Sequence, residues 1–279
     1  MGINSELVRL MADYRHRNII TGASIIEIGA QDVCADTEVI DHILNEFGLG
    51  VRKSRGIDNA ARLYAEIGFT EYKCIDASGQ HGALVFDLNN DLSTYYEFRE
   101  HFDVVTNLGT AEHCFNQYCV FKNLHDLCKP GGVMVHALPV QGNVNHGFYN
   151  YHPRFFADLS VANGYEVINL AFTVDYAPTL HQYTLANFKR WDSHDLLFYA
   201  LLRRVSDAPF KVPFDGMFSA YNQIKGYVAD QSNPLTSIFS PYLKGGRWEN
   251  TKGLRKGSSL LRRFTRGFVS CLSKTKNLT

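Results

Sequence analysis

The chain has 279 residues, 45% hydrophobic and 20% charged, which suits one α/β domain plus an extension and excludes wholesale disorder. Its formal net charge of zero gives no overall electrostatic reason to expect a nucleic-acid partner. The longest apolar runs, such as Ala23–Ile28 and Leu196–Leu202, fall short of the roughly 20 residues that span a bilayer, and Met1–Arg17 lacks the apolar stretch of a signal peptide.

In chain order, Ser5–Arg17 reads as a helix capped by Asn4 or Ser5. Ala23–Ile28 reads as a buried strand that ends in a tight turn at Gly29. Thr37–Phe47 and Asn59–Ile67 carry apolar residues at helical intervals, the second stopped by Gly68. Tyr72–Ile75, Ala83–Phe86 and Phe102–Thr106 read as short strands, the first two each followed by an Asp. Phe115–Cys128 is an amphipathic helix closed by Lys129-Pro130-Gly131-Gly132. Val133–Leu138 is a strand, Pro153–Asn163 a helix stopped by Gly164, and Glu166–Thr173 and Leu196–Arg204 two late strands. This alternation predicts a mostly parallel sheet covered on both faces.

Charge divides the chain unevenly. From Lys244 onward there are ten Lys/Arg and one acid, Glu249, so the preceding residues carry a net charge of −9. We expect a domain over residues 1–217 and an extension over 218–279 that is basic from 244. The tail 244–279, with leucines and phenylalanines among its basic residues, is a candidate for peripheral membrane or protein contact, or a solvated tail. The six cysteines show no C-x-x-C spacing and read as reduced thiols of a cytoplasmic protein; with the 11 histidines they match no usual metal-ligand spacing, so no metal is expected.

In an open α/β sheet, ligands gather outside the carboxyl ends of the strands. After the first strand come Glu27, Gly29 and Ala30, an acid that can anchor the loop or a ligand ammonium, and a glycine that lets backbone approach closely. After the second come Asp76 and Ala77, the Asp suited to paired ribose hydroxyls or to a turn. Asp87 and Leu88 could bond an exocyclic amine and flank a purine; the alternative for that Asp too is a cap or turn. After Phe102–Thr106 come Asn107, Leu108, Glu112 and His113.

The stretch from Phe102 through Glu112-His113 and Leu127-Cys128-Lys129-Pro130-Gly131-Gly132 to Pro139 resembles the class I S-adenosylmethionine-dependent methyltransferases, a likeness that extends over residues 20–216. It implies a three-layer α/β/α fold with a mostly parallel seven-stranded sheet, followed here by a helical or irregular basic extension. It also implies S-adenosylmethionine as cofactor, with Glu27, Gly29 and Ala30 at its methionine part, Asp76 and Ala77 at the ribose, and Asp87 and Leu88 beside the adenine. Asn107, Leu108 and Glu112 would line the fourth-strand end. Candidate bases toward an acceptor are His146, His113 and His152. A small-molecule or glycan hydroxyl is the favoured acceptor; RNA or protein acceptors and a non-catalytic binding protein are the alternatives. Two departures stand out. The first motif has one glycine where the family has two or three, and 49 residues separate Glu27 from Asp76 where about 20 are usual. The excess, about residues 32–58, reads as an insertion, either a mobile lid or a surface helix with a flexible loop.

Overall fold

The computed structural model describes residues 2–49, 57 and 59–218. Helix α1 (Ser5–His16) starts where Asn4 Oδ1 accepts the Leu7 N–H at 3.0 Å. Strand β1 (Ser24–Ile28) is buried throughout. Helix α2 (Thr37–Glu46) buries Ile40, Ile43 and Leu44 beside α1, and α3 (Ala60–Ile67) ends on Gly68 with φ +103°. Then come β2 (Glu71–Ile75), the short α4 (Leu92–Tyr95), β3 (Phe102–Leu108), α5 (Gln117–Leu127) and β4 (Cys128–Gln141). The chain continues through α6 (Pro153–Asn163), β5 (Glu166–Val174), β6 (His181–Gln182), α7 (Leu185–Phe188) and β7 (Leu196–Arg203).

The strands form one sheet in the order β2-β1-β3-β4-β7-β5-β6. The four strands from β2 to β4 are parallel, while β7 runs antiparallel to both β4 and β5, and β6 antiparallel to β5. With helices on both faces of this mixed seven-stranded sheet, the chain has a Rossmann-like fold.

Alternation of side chains along the strands divides the core between two faces. One face packs Ile26, Ile28, Val105 and Met134 under α5 and α6; the other packs Ile25, Val104, Val133 and Val135 under α1, α2 and α3. Phe156 of α6 stacks on Phe198 of β7 with centroids 5.4 Å apart, both fully buried. Each such ring contributes about 1.5–3 kcal/mol through burial.

The short α4, β6 and α7 were not expected, and three expected elements differ in extent. Ala83–Phe86 makes only one bridge, Ile75 with Leu84, because three positive-φ residues, Gly79, His81 and Gly82, precede it and Phe86 turns aside to stack on Tyr96 at 4.2 Å. Helix α5 begins at Gln117, two residues late, since Asn116 caps it by accepting the Cys119 N–H. Strand β4 runs back through Lys129-Pro130-Gly131-Gly132, where Gly131 N–H donates to the Arg204 carbonyl and Arg204 N–H to that of Gly132. The described part of the expected insertion is α2 packed on α1; residues 50–56 and 58, on which the lid reading rests, lie outside the described residues, as does 219–279 with its basic tail. Among the described residues no helix is long and apolar enough to cross a membrane.

Candidate functional site

Parallel register places Ile75, Ile28, Asn107 and His136 side by side on β2, β1, β3 and β4. Asp76 and Gly29, which follow Ile75 and Ile28, therefore emerge side by side at one edge, with about 4.8 Å between neighbouring strands, while Leu108 and Ala137 stay buried. Gly29 turns here with φ +80°, its N–H donating to the Ile75 carbonyl at 2.7 Å. A Cβ on Gly29 would overlap Thr110 Oγ1, which donates to the Ile28 carbonyl at 2.9 Å, so the loops after β1 and β3 touch at a point where no side chain fits.

Asp76 holds the two loops of the edge. Its Oδ2 accepts the Ala30 N–H at 3.0 Å and its Oδ1 the Ser78 N–H at 2.8 Å. Burial works against its charge, but the bonds from Ser78 and Ala30 outweigh it and hold the carboxyl below its ordinary range. Ala77 beside it is exposed.

Glu27 bonds to the loop after β1. It is fully buried on the α3 face, where Tyr64 and Tyr72 hydroxyls each donate to it at 3.0 Å and Gln31 N–H at 3.3 Å. Burial dominates these three donors and pushes its carboxyl up to about 8. Nothing in the sequence marked Tyr64 and Tyr72 as its partners, because both read as apolar positions of their own elements.

Asp87 is exposed and makes a turn: Oδ1 accepts from both nitrogens of Asn89, at 2.9 and 2.8 Å. Leu88 and Leu108 are buried in the core on opposite faces of the sheet. Asn107 is buried beneath the edge, its Oδ1 accepting the Ala111 N–H at 3.1 Å and its amide 3.3 Å from His136 Nδ1. Burial lowers the His136 imidazole to about 3, so it stays neutral. A histidine inside an apolar strand gave no sequence signal of this contact.

Beyond Asn107, a single turn over Ala111–His113 presents Glu112 and His113. The loop after β4 folds against this turn. Phe148 N–H donates to the Glu112 carbonyl at 2.8 Å, and a Cβ on Gly147 would stand 2.9 Å from Glu112 Cγ. His146 Nε2 consequently lies 3.4 Å from Glu112 Oε1, without the alignment of a hydrogen bond, and His113 Nε2 lies 3.9 Å from the same oxygen. The two imidazole rings meet edge to face at 4.9 Å. Glu112 is fully buried, and among the described residues neither of its carboxyl oxygens has a hydrogen-bond partner. Burial pushes it up to about 7 and draws His113 down.

His152 does not join this group. Its Nδ1 accepts the Arg154 N–H at 3.2 Å, so it caps α6, and both burial and the Arg154 charge lower its basicity. The rim of the His146 loop carries exposed Val144 and Phe148, and exposed Phe115 lies across from it where its carbonyl accepts the Tyr149 hydroxyl at 3.0 Å. A separate groove of about 500 Å³ between α1 and α2, lined by Arg9, Asp13 and Phe47 among others, contains none of these residues.

No family model and no curated protein matches the chain. Solved structures do resemble it. One is a Burkholderia thailandensis 1,6-didemethyltoxoflavin-N1-methyltransferase with bound S-adenosylhomocysteine (12% identity, TM-score 0.40, 70% of this chain and 78% of that one). Another is TehB from Haemophilus influenzae (9% identity, TM-score 0.42, 70% and 61%). A third is an O-methyltransferase of a Brevibacillus brevis multienzyme in complex with S-adenosyl-L-homocysteine (9% identity, TM-score 0.38, 72% and 73%). Likeness at this level concerns the fold alone, and the fold assignment stands on the strand order above. By that order the chain has a Rossmann-like architecture built on a mixed seven-stranded sheet.

Proposed function

We propose that the protein transfers a methyl group from S-adenosylmethionine to a hydroxyl of a small molecule or glycan. The observation that carries the reading is a juxtaposition. The strand-end edge of Gly29, Ala30 and Asp76 is followed, one turn beyond Asn107, by the Glu112–His113–His146 group. A sulfonium donor is already activated, so the protein has to align donor and acceptor and take a proton from the hydroxyl. The first task falls to the edge, where Asp76 retains lone pairs for ribose hydroxyls and the Gly29 turn admits the methionine part. The second falls to Glu112, His113 and His146, beside a rim whose exposed Phe115, Val144 and Phe148 suit the apolar or ring face of an acceptor.

Calorimetry with S-adenosylhomocysteine tests the reading. Saturable micromolar binding is expected, and Asp76→Ala should weaken it about 10- to 100-fold, the loss of a charged acceptor of about 1.5–3 kcal/mol. Absence of binding at millimolar ligand would favour a non-catalytic protein that keeps the fold, a reading to which the single-glycine first loop lends support.

A further inference from the structure

We propose that Glu112, His113 and His146 form a binding site for a divalent transition-metal ion of the zinc type. The three residues offer one ligand atom each, all within 4.8 Å of one another. Two donors at about 2.1 Å from a tetrahedral ion stand about 3.4 Å apart. The Glu112–His146 separation of 3.4 Å already meets this, and the Glu112–His113 separation of 3.9 Å needs a small side-chain rotation. The unpartnered carboxyl supplies the independent indication of a ligand. A fully buried Glu112 with neither oxygen hydrogen-bonded is a costly arrangement, which a cation between it and the imidazoles relieves.

The donor set decides the class of ion. Two imidazoles and one carboxylate suit zinc, iron(II) or manganese; magnesium and calcium prefer all-oxygen shells. Three protein donors leave coordination open, as in sites where the ion holds an exogenous oxygen. The backbone bond from Phe148 to Glu112 and the close fit of Gly147 tie the loop after β4 to the turn after β3, so ligands from two elements keep their spacing. The ion's role rests on the methyl-transfer reading: it would bind the acceptor oxygen and ease loss of its proton to solvent, which makes His146 a ligand rather than a free base. Sequence reading picked out all three residues but not their grouping round an ion, because 33 positions separate His113 from His146 and no short spacing connects them.

The test uses the full chain, stripped with a chelator and titrated with cobalt(II) while its visible absorption is followed, then with zinc by calorimetry. One ion per chain is expected. Affinity should fall at least tenfold in His113→Ala, which removes an exposed side chain and spares the fold, and in His146→Ala and Glu112→Gln. His152→Ala, outside the group, should bind as the parent does. Absence of saturable cobalt binding would overturn the proposal, and so would undiminished binding by a His113→Ala/His146→Ala double variant. S-adenosylhomocysteine binding by the metal-free protein is measured separately. Metal binding without it leaves the ion site standing and removes the methyl-transfer reading; the reverse removes the ion site alone.

Discussion

A carboxyl group's surroundings decide what it does, and three acids of this protein illustrate the range. Asp76 is held below its ordinary range by hydrogen bonds from Ser78 and Ala30, whereas Glu27 and Glu112 are pushed upward by burial. For Glu27 the linkage follows directly. Its folded value of about 8 lies above the ordinary glutamate value, so the stability it supports is full below about pH 4.5 and is lost as pH rises toward 8. Urea unfolding across this range should show stability falling with a slope of up to roughly 1.4 kcal/mol per pH unit from this residue. Glu27→Gln keeps a carbonyl acceptor for the tyrosines and should flatten that slope; an unchanged slope would remove Glu27 from the account. The acidic type and strand-end position of Glu27 and Asp76 were legible in the sequence. Their hydrogen-bond partners were not, because Tyr64, Tyr72 and Ala30 are brought to them only by the sheet.

Among elements, the short junctions carry most of the consequence. Strands β1 and β3 and their following loops meet at Gly29 and Thr110, where positive φ and a close contact coincide. Gly29→Ala should displace Thr110 from the Ile28 carbonyl and strain the backbone. The expected cost is about 2–3 kcal/mol, read as a fall of roughly 4–12 °C in Tm. A Tm within 1 °C or so of the parent's, on the order of a typical surface substitution, would show that the loop re-forms without cost. Long apolar periods made α1, α5, α6, β1 and β3 readable in advance, since their burial pattern is local. The single bridge at Leu84 was not readable, because pairing there is decided by the turn at Gly79–Gly82 and by the Phe86–Tyr96 stack. Neither was the extension of β4 through Pro130-Gly131-Gly132, where the pairing partner, Arg204, lies 72 or more residues along the chain.

Over the whole molecule, the segment after β7 is sewn onto the sheet's helical cover. Arg204 is 5% exposed and donates to the carbonyls of His125, Cys128 and Ser206 and to Asp207. Further on, Asn163 Oδ1 accepts the Lys211 N–H at 2.7 Å, and Asp158 accepts the N–H groups of Gly216 and Phe218 at 3.0 and 2.7 Å. Arg204→Ala should leave buried carbonyls without donors and cost about 3–5 kcal/mol, seen as a lower urea midpoint together with faster amide exchange over residues 205–218. Faster exchange without a lower midpoint would confine its role to the segment. A sequence-based boundary near Phe218 followed composition; the fastening of 205–218 up to that point depends on polar residues of α6 that read as ordinary surface positions.

The loop between β4 and α6 is clamped at both feet. Asn143 N–H is held by Asp195 at 2.9 Å and Gln141 donates to the carbonyls of Trp191 and His194, while Tyr151 N–H bonds the Pro139 carbonyl at 2.7 Å and its hydroxyl reaches Gln117. Between these fixed points, Val144, Asn145 and Phe148 project outward with little framework resting on them. Val144 and Phe148 can thus change with the sheet undisturbed, whereas Asn145, with φ +63°, is held to residues that tolerate a left-handed backbone.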